Sequence, residues 1–395
     1  MDLVAISELC QINIGRTPSR SNSSYWGKGH KWLSISDMKS KFVKETKEEI
    51  TDLAITEAKM KVVPKNTVLM SFKLSIGKVA ITQEEIYTNE AIASFPILKK
   101  DKLTPQYLYY ALKTLSLDSL TDRAVMGATL NKAKLNQLKI PLPPIAEQNR
   151  IVGILEKAEI IIGNRIEQLE ELIDLAKSLF YEMFGNPSIN SKGFILKPLN
   201  ETCINVDDIR CGPFGTQLSS KEFVKTGVPL WGIKHINSKF KISTDEYVTP
   251  EKALFLENYS LIPGDIVMTR KGTVGKCAIY PEHLPGGIMH SDLLRIRVNQ
   301  EILNPTFLMF QFSLSKDVEH QLSQISSGAI MKGLNVTKLK KVRVLVPPIE
   351  LQNEFADKIS QIEQLRNTIQ ESLTILEENY KSLLQLVLNG ELFFN

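Results

Sequence analysis

At 395 residues, the chain is long enough for two or three domains with separate cores, and its composition, 43% hydrophobic and 23% charged, is ordinary for a globular protein. No apolar run approaches membrane-spanning length, and "MDLVAISELC" lacks the basic and apolar regions of a signal peptide. Cys10, Cys203, Cys211 and Cys277 show no C-x-x-C spacing, so reduced, structural thiols and a cytoplasmic location are expected. The net charge of +4 decides nothing until its distribution is read.

The first region is rich in basic residues. Arg16, Arg20, Lys28, Lys31, Lys39 and Lys41 lie among Ser, Thr, Asn, Tyr25 and Trp26. "NTVLMSF" reads as a buried strand and the following "SIGK", with Lys73 and Lys78, as a glycine turn. "TPQYLYYALK" reads as a helix with Pro105 at its first position. After "LKIPL", Pro143 and Pro144 forbid helix, and a long helical pattern begins. Its apolar residues Ile151, Leu155, Ala158, Ile162, Ile166, Leu169, Ile173, Ala176, Phe180 and Met183 fall at steps of three and four, one stripe ending at "GNP".

The chain then repeats itself. "LNKAKLNQLKIPLPPI" (130–145) matches "LNVTKLKKVRVLVPPI" (334–349) in a register of 204 residues. Leu169, Leu172 and Lys177 match Leu373, Leu376 and Lys381 in the same register. Upstream, "VPKNTVLMSFKLSIGKVAI" parallels "IPGDIVMTRKGTVGKCAI", and "LTPQYLYYAL" parallels "LNPTFLMFQF". The second helix carries its stripe at Phe355, Ile359, Ile362, Leu365, Ile369, Leu373, Leu376, Tyr380, Leu383 and Val387. A period this long means two domain-sized copies, not a solenoid. Each helix of about forty residues would be roughly 60 Å long and needs a partner for its stripe. With a whole domain between the two, an antiparallel pair related by a pseudo-twofold axis is expected. The two helical segments are acidic: eight acids and four bases in 145–184, eight acids and three bases in 349–391, leaving +13 on the rest. Such segregation points to a polyanion for the basic regions.

Catalytic chemistry is not visible. Gly77–Lys78 and Gly275–Lys276 lack the first glycine and the Ser/Thr of a P-loop. "NPTF" resembles a DNA methyltransferase element, but its repeat partner is "TPQY" and no glycine-rich cofactor motif precedes it, so a helix start is the better reading. The five histidines have no metal spacing, and Asp207, Asp208 and Asp265 lack matching carboxylate and lysine partners. No catalytic or metal residue is assigned.

What remains is binding chemistry. The residues assigned to DNA are Arg16, Arg20, Lys39, Lys73 and Lys78 in the first copy, with Lys234, His235, Arg270, Lys271 and Lys276 in the second. Lys and Arg neutralise phosphates, and Arg, Lys, Asn, Gln and Ser can read base edges in the major groove. The recurring turns "SFKLSIGK" and "TRKGTVGK" stand out because they occupy equivalent places, although a purely structural hairpin accounts for them equally well. "SSGAIMKGLN" reads either as a DNA-contacting loop or as a linker.

The paired elements "LNKAKLNQLKIPLPPIAEQNRIVGILEKAE" and "LNVTKLKKVRVLVPPIELQNEFADKIS", with the helix ends "GNP" and "LNGEL", resemble the specificity subunits of type I restriction-modification systems, and the likeness covers the whole chain. It implies an α+β protein with target-recognition domains at 1–142 and 186–346, a central helix at 143–185 and a C-terminal helix at 347–395. The domains would each read one half of a bipartite, asymmetric DNA site, and the helices would form the spacer and the docking surface, with Pro144, Gln148, Leu169, Leu172, Pro348, Gln352, Leu373 and Leu376 assigned to that role. Two methyltransferase and two restriction-translocase subunits are implied as partners, carrying S-adenosylmethionine, ATP and Mg²⁺, none of which this chain would hold. A non-enzymatic assembly protein, whose rod joins two binding domains with no DNA role, is the alternative.

Overall fold

The computed structural model describes residues 3–115, 122–124, 127–270, 275–326, 335–389 and 391. The chain is α+β and divides into two compact units. Unit 1 comprises residues 1–167 and 370–395, and unit 2 comprises 168–369, so each unit takes one half of each long helix.

In unit 1 a five-stranded sheet runs in the order Asn13–Ile14, Ile92–Phe95, Val68–Ser71, Val79–Thr82, Phe42–Val43. It is antiparallel except for its last pair. Val68, Leu69, Met70 and Ser71 are all buried, as expected of a strand covered on both faces. A three-stranded sheet (Glu48–Ile50, Trp26–Leu33, Tyr87–Thr88) lies beside it in sequence. Helix Pro105–Thr114 starts where its proline requires: Thr104 caps it by accepting from the Tyr107 N–H. Tyr107, Leu108, Tyr110 and Leu112 of this helix join Val68, Met70 and Phe95 in one core. Ile151, Val152 and Leu155 of the first long helix (Ile145–Phe184) and Val387 of the second (Ile349–Asn389) enter the same core.

Unit 2 repeats the plan with the strands divided evenly between its two main sheets. A four-stranded antiparallel sheet runs Ile209–Cys211, Leu293–Ile296, Ile266–Thr269, Cys277–Ile279. A second sheet runs Tyr247–Val248, Val228–Trp231, Gly287–Met289, Ser260–Leu261. Helix Pro305–Leu314 is capped by Asn304, which accepts from the Thr306 N–H, so the "NPTF" element is a helix start. Phe180 and Phe184 of the first long helix pack against Phe307 and meet Phe355 edge-on here, with Phe184 and Phe307 centroids 4.6 Å apart. The first long helix stops at Gly185, whose φ of +71° admits the Gly185 N–H to Tyr181 O bond that closes it.

In each unit a strand near the start pairs with the strand that leads into the double proline: Leu3–Ala5 with Lys139–Pro141, and Ile195–Pro198 with Arg343–Val346. These pairings fix where each long helix begins. No helix among the described residues is long and apolar enough to cross a membrane. Cys10, Cys203 and Cys277 are free thiols whose pKa burial pushes up to about 12, which keeps them protonated and unreactive.

Candidate nucleic-acid interface

Three loops meet at one end of the main sheet in each unit. In unit 1 the Gly15 N–H donates to Ile92 O (3.1 Å) and the Arg16 N–H to Thr88 O (2.8 Å). A Cβ at Gly15 would stand 2.2 Å from Asn89 O, so no other residue fits without moving backbone. The hairpin turn joins them through Phe72 N–H to Ala91 O (3.0 Å), and it closes on Gly77 N–H to Ser71 O (2.9 Å) and Lys78 N–H to Ser71 Oγ (3.0 Å). The Thr17 hydroxyl donates to Glu90, tying the glycine loop to the third segment.

Unit 2 builds the same junction from different residues. The Gly212 N–H donates to Leu293 O (2.9 Å), and a Cβ there would lie 2.1 Å from His290 O. The Arg270 N–H donates to Asp292 O (2.8 Å), and the turn closes on Gly275 N–H to Thr269 O (3.1 Å). The strands that flank each recurring basic turn pair antiparallel, Val68–Met70 with Val79–Ile81 and Ile266–Met268 with Cys277–Ile279.

The residues assigned to DNA from sequence fall into four groups. Arg16, Lys73 and Lys78 in unit 1, and Arg270 and Lys276 in unit 2, sit on these junctions, with Arg16, Lys78 and Lys276 exposed. Arg20, Lys39 and Lys234 lie elsewhere. Arg20 makes a bidentate pair with Glu48 and stacks 3.7 Å above the Trp26 ring. Lys39 is exposed and lines a cleft with Asp37, Ser40, Phe42, Lys44 and Lys47, and Lys234 is paired with Asp245. Lys271 lies outside the described residues, as does most of "SSGAIMKGLN".

His235 is a correction: it is fully buried and cannot touch a phosphate. Its Nδ1 accepts the Gly232 N–H at 2.8 Å and its ring meets Trp231 edge-on at 5.0 Å. Burial, reinforced by the charge of Lys234, lowers its pKa, so it is neutral at physiological pH. Several other basic residues of the first copy hold the fold together. Lys41, with 14% of its side chain exposed, bonds Glu156 (2.8 Å) and the Tyr110 hydroxyl (3.0 Å), and Lys31 pairs with Glu84 and Glu45.

The docking assignment needs the same correction. Gln148 and Gln352 are fully buried clasps, out of reach of a partner. Gln148 Oε1 accepts the Thr104 N–H (2.9 Å) while its Nε2 donates to Lys102 O (2.6 Å) and Pro143 O (2.9 Å). Leu172 and Leu373 are also buried, Leu169 and Leu376 are half-buried, and only Pro144 and Pro348 are exposed. Sequence reasoning missed Gly15, Gly212 and Phe214. The visible signal was the pair "GRT" and "GPF" at corresponding places ahead of each hairpin.

Each of the two compact units carries a loop junction with basic residues and one half of each long helix. The chain belongs to the family described as "Type I restriction modification DNA specificity domain", which matches residues 1–171 and again 214–378. It is 23% identical to the type I restriction enzyme MjaIX specificity subunit of Methanocaldococcus jannaschii, over 99% of this chain and 93% of that one. Its fold is similar to that of a solved chain from work on complex assembly and conformational transition of the type I R-M system (TM-score 0.64, 18% identity, 99% and 98% of the chains). It is similar also to a type I S subunit from M. genitalium (TM-score 0.56, 17% identity, 98% and 96%). The chain is accordingly a specificity subunit, the DNA-recognition component of a type I restriction-modification system and not its catalyst.

Proposed function

We propose that the two units read the two halves of one split, asymmetric double-stranded DNA site. In this reading 1–142 and 186–346 are the target-recognition domains. The helices of 143–185 and 347–395 pair antiparallel as a coiled coil about a pseudo-twofold axis. The pair sets the distance between half-sites and docks two methyltransferase subunits, and two restriction-translocase subunits complete a complex working in the cytoplasm. S-adenosylmethionine, ATP and Mg²⁺ belong to those partners.

The observation that carries this reading is the composition of the two compact units. In unit 1, Glu159 of the first helix accepts from Tyr380 of the second. In unit 2, Phe180 of the first helix packs edge-on against Phe355 of the second, centroids 5.5 Å apart. Numbers rise along one helix as they fall along the other, which supports an antiparallel pair.

The mechanism is positional. Lys78 and Lys276 neutralise phosphates, Arg16 and Arg270 approach base edges, and the rod holds a methyltransferase over each half-site so that it can extrude its target base. Exchanging residues 1–142 for another recognition domain, followed by methylation mapping of host DNA, tests this. One half-site should change and the other stay. A change in both, or in neither, would defeat the reading.

A further inference from the structure

Phe214 is the one large apolar side chain that the loop junction of unit 2 turns outward among its described residues, with 60% of its surface exposed. The loop that carries it is built to hold still. Gly212 is clamped against His290 O, Pro213 is buried, and the turn closes through Gln217 N–H to Phe214 O (2.8 Å). The Gln217 side chain accepts the Phe214 N–H (3.3 Å) and is itself anchored by the Tyr259 hydroxyl (2.8 Å). None of these bonds involves the aromatic ring, so the fold of the loop does not depend on its exposure.

Beside the ring stands Arg270, whose guanidinium carbon lies 5.8 Å from the Phe214 centroid. Its backbone is fixed by Asp292, yet its buried Nε has no hydrogen-bond partner among the described residues. With that Nε unpaired beside an exposed ring, the guanidinium keeps donor capacity that the described residues do not use, and its terminal nitrogens are the ones a base edge would meet. The acceptor pair that matches it on duplex DNA is guanine O6 and N7, and the group that matches an exposed ring in the major groove is the thymine C5-methyl.

Resting on the reading of this chain as a DNA-specificity subunit, we propose that Phe214 and Arg270 together read a thymine–guanine step in the half-site of unit 2. Arg270 donates to the guanine and Phe214 covers the methyl of the adjacent thymine. Unit 1 carries Thr17 and Phe72 at the positions nearest to Phe214 and Arg270 in its junction and so reads its half-site by other contacts.

The test is methylation mapping of host DNA with the wild-type chain and with R270K and F214A, each co-expressed with the methyltransferase subunit. Lysine keeps the charge and loses the fork, and Phe214 is exposed enough that alanine leaves the fold intact, which a thermal melt checks. The wild-type half-site of unit 2 should contain a guanine next to a thymine. R270K should lower discrimination at the guanine by about tenfold or more, and F214A should relax the thymine alone. The half-site of unit 1 should not move. A half-site without that step, or variants that methylate the unchanged motif at unchanged levels, would overturn the pairing while leaving the specificity role in place. A wild-type complex that methylates no split motif would instead count against the specificity reading itself.

Discussion

Gln352 repeats three of the bonds that Gln148 makes in the other unit. Each is fully buried in the first turn of its long helix. Gln352 Oε1 accepts the Asn304 N–H (2.8 Å) and its Nε2 donates to Ile302 O (3.2 Å) and Pro347 O (2.8 Å). The side chain ties the loop ahead of the capped helix to the double proline and the start of the long helix, some fifty residues further on. Replacing either glutamine by alanine strands buried backbone groups without partners and should cost about 2–4 kcal/mol. Glutamate in its place should be no better, because a carboxylate cannot donate to the two carbonyls. Chemical denaturation of Gln148→Ala and Gln352→Ala checks this. Unchanged stability would mean that the side chains do not make these bonds.

Acid should loosen unit 1 through Glu159. Burial opposes its ionisation, but bonds from Tyr380 and Tyr110 (2.8 Å) and the Lys113 charge outweigh that and hold its pKa below the ordinary 4.5. The folded pKa is depressed, so this stabilisation is complete above 4.5 and is lost as pH falls through the lowered value. Glu159→Gln should therefore destabilise the chain near neutral pH and show a shallower loss of stability than wild type below pH 4.5. Parallel slopes for the two proteins, measured by denaturation across that range, would contradict the assignment.

Salt titration separates buried from contacting basic residues. Lys276→Ala should weaken DNA binding for all sequences alike and reduce the dependence of log K on log salt by about one unit. His235→Leu should leave that slope unchanged while lowering stability, since His235 is buried and holds Gly232. A reduced slope for the histidine variant would restore it to the interface.

Gly15 and Gly212 are positions where a methyl group has no room. Alanine at either would meet a carbonyl oxygen at 2.2 or 2.1 Å. The glycine loop must then shift from its junction, so Gly15→Ala should impair recognition of the unit 1 half-site and Gly212→Ala that of unit 2. Methylation mapping reads both, and an intact motif in either variant would show that the junction is not where DNA is read.

Much of this was legible because the chain is written twice. The double prolines, "TPQY" with "NPTF" and the two glycine turns each mark an element boundary that recurs, and the structure places the helix starts, caps and hairpins there. The inward course of Gln148 and Gln352 was not legible, because a polar residue in the first turn of an amphipathic helix ordinarily faces water. Their partners, Lys102 to Thr104 and Ile302 to Asn304, lie more than forty residues away. His235 failed for the same reason. Next to Lys234 it reads as basic, and only the packing of Trp231 reveals it as core. The division of each long helix between two compact units is likewise a long-range outcome.

Inserting four residues near the middle of the first long helix, roughly 6 Å of added rise, tests the central claim most directly. Methylation mapping with the altered chain should return both half-sites unchanged with a different number of base pairs between them. Altered half-sites, or the original spacing retained at full activity, would contradict two readers held at a fixed distance by a helical rod.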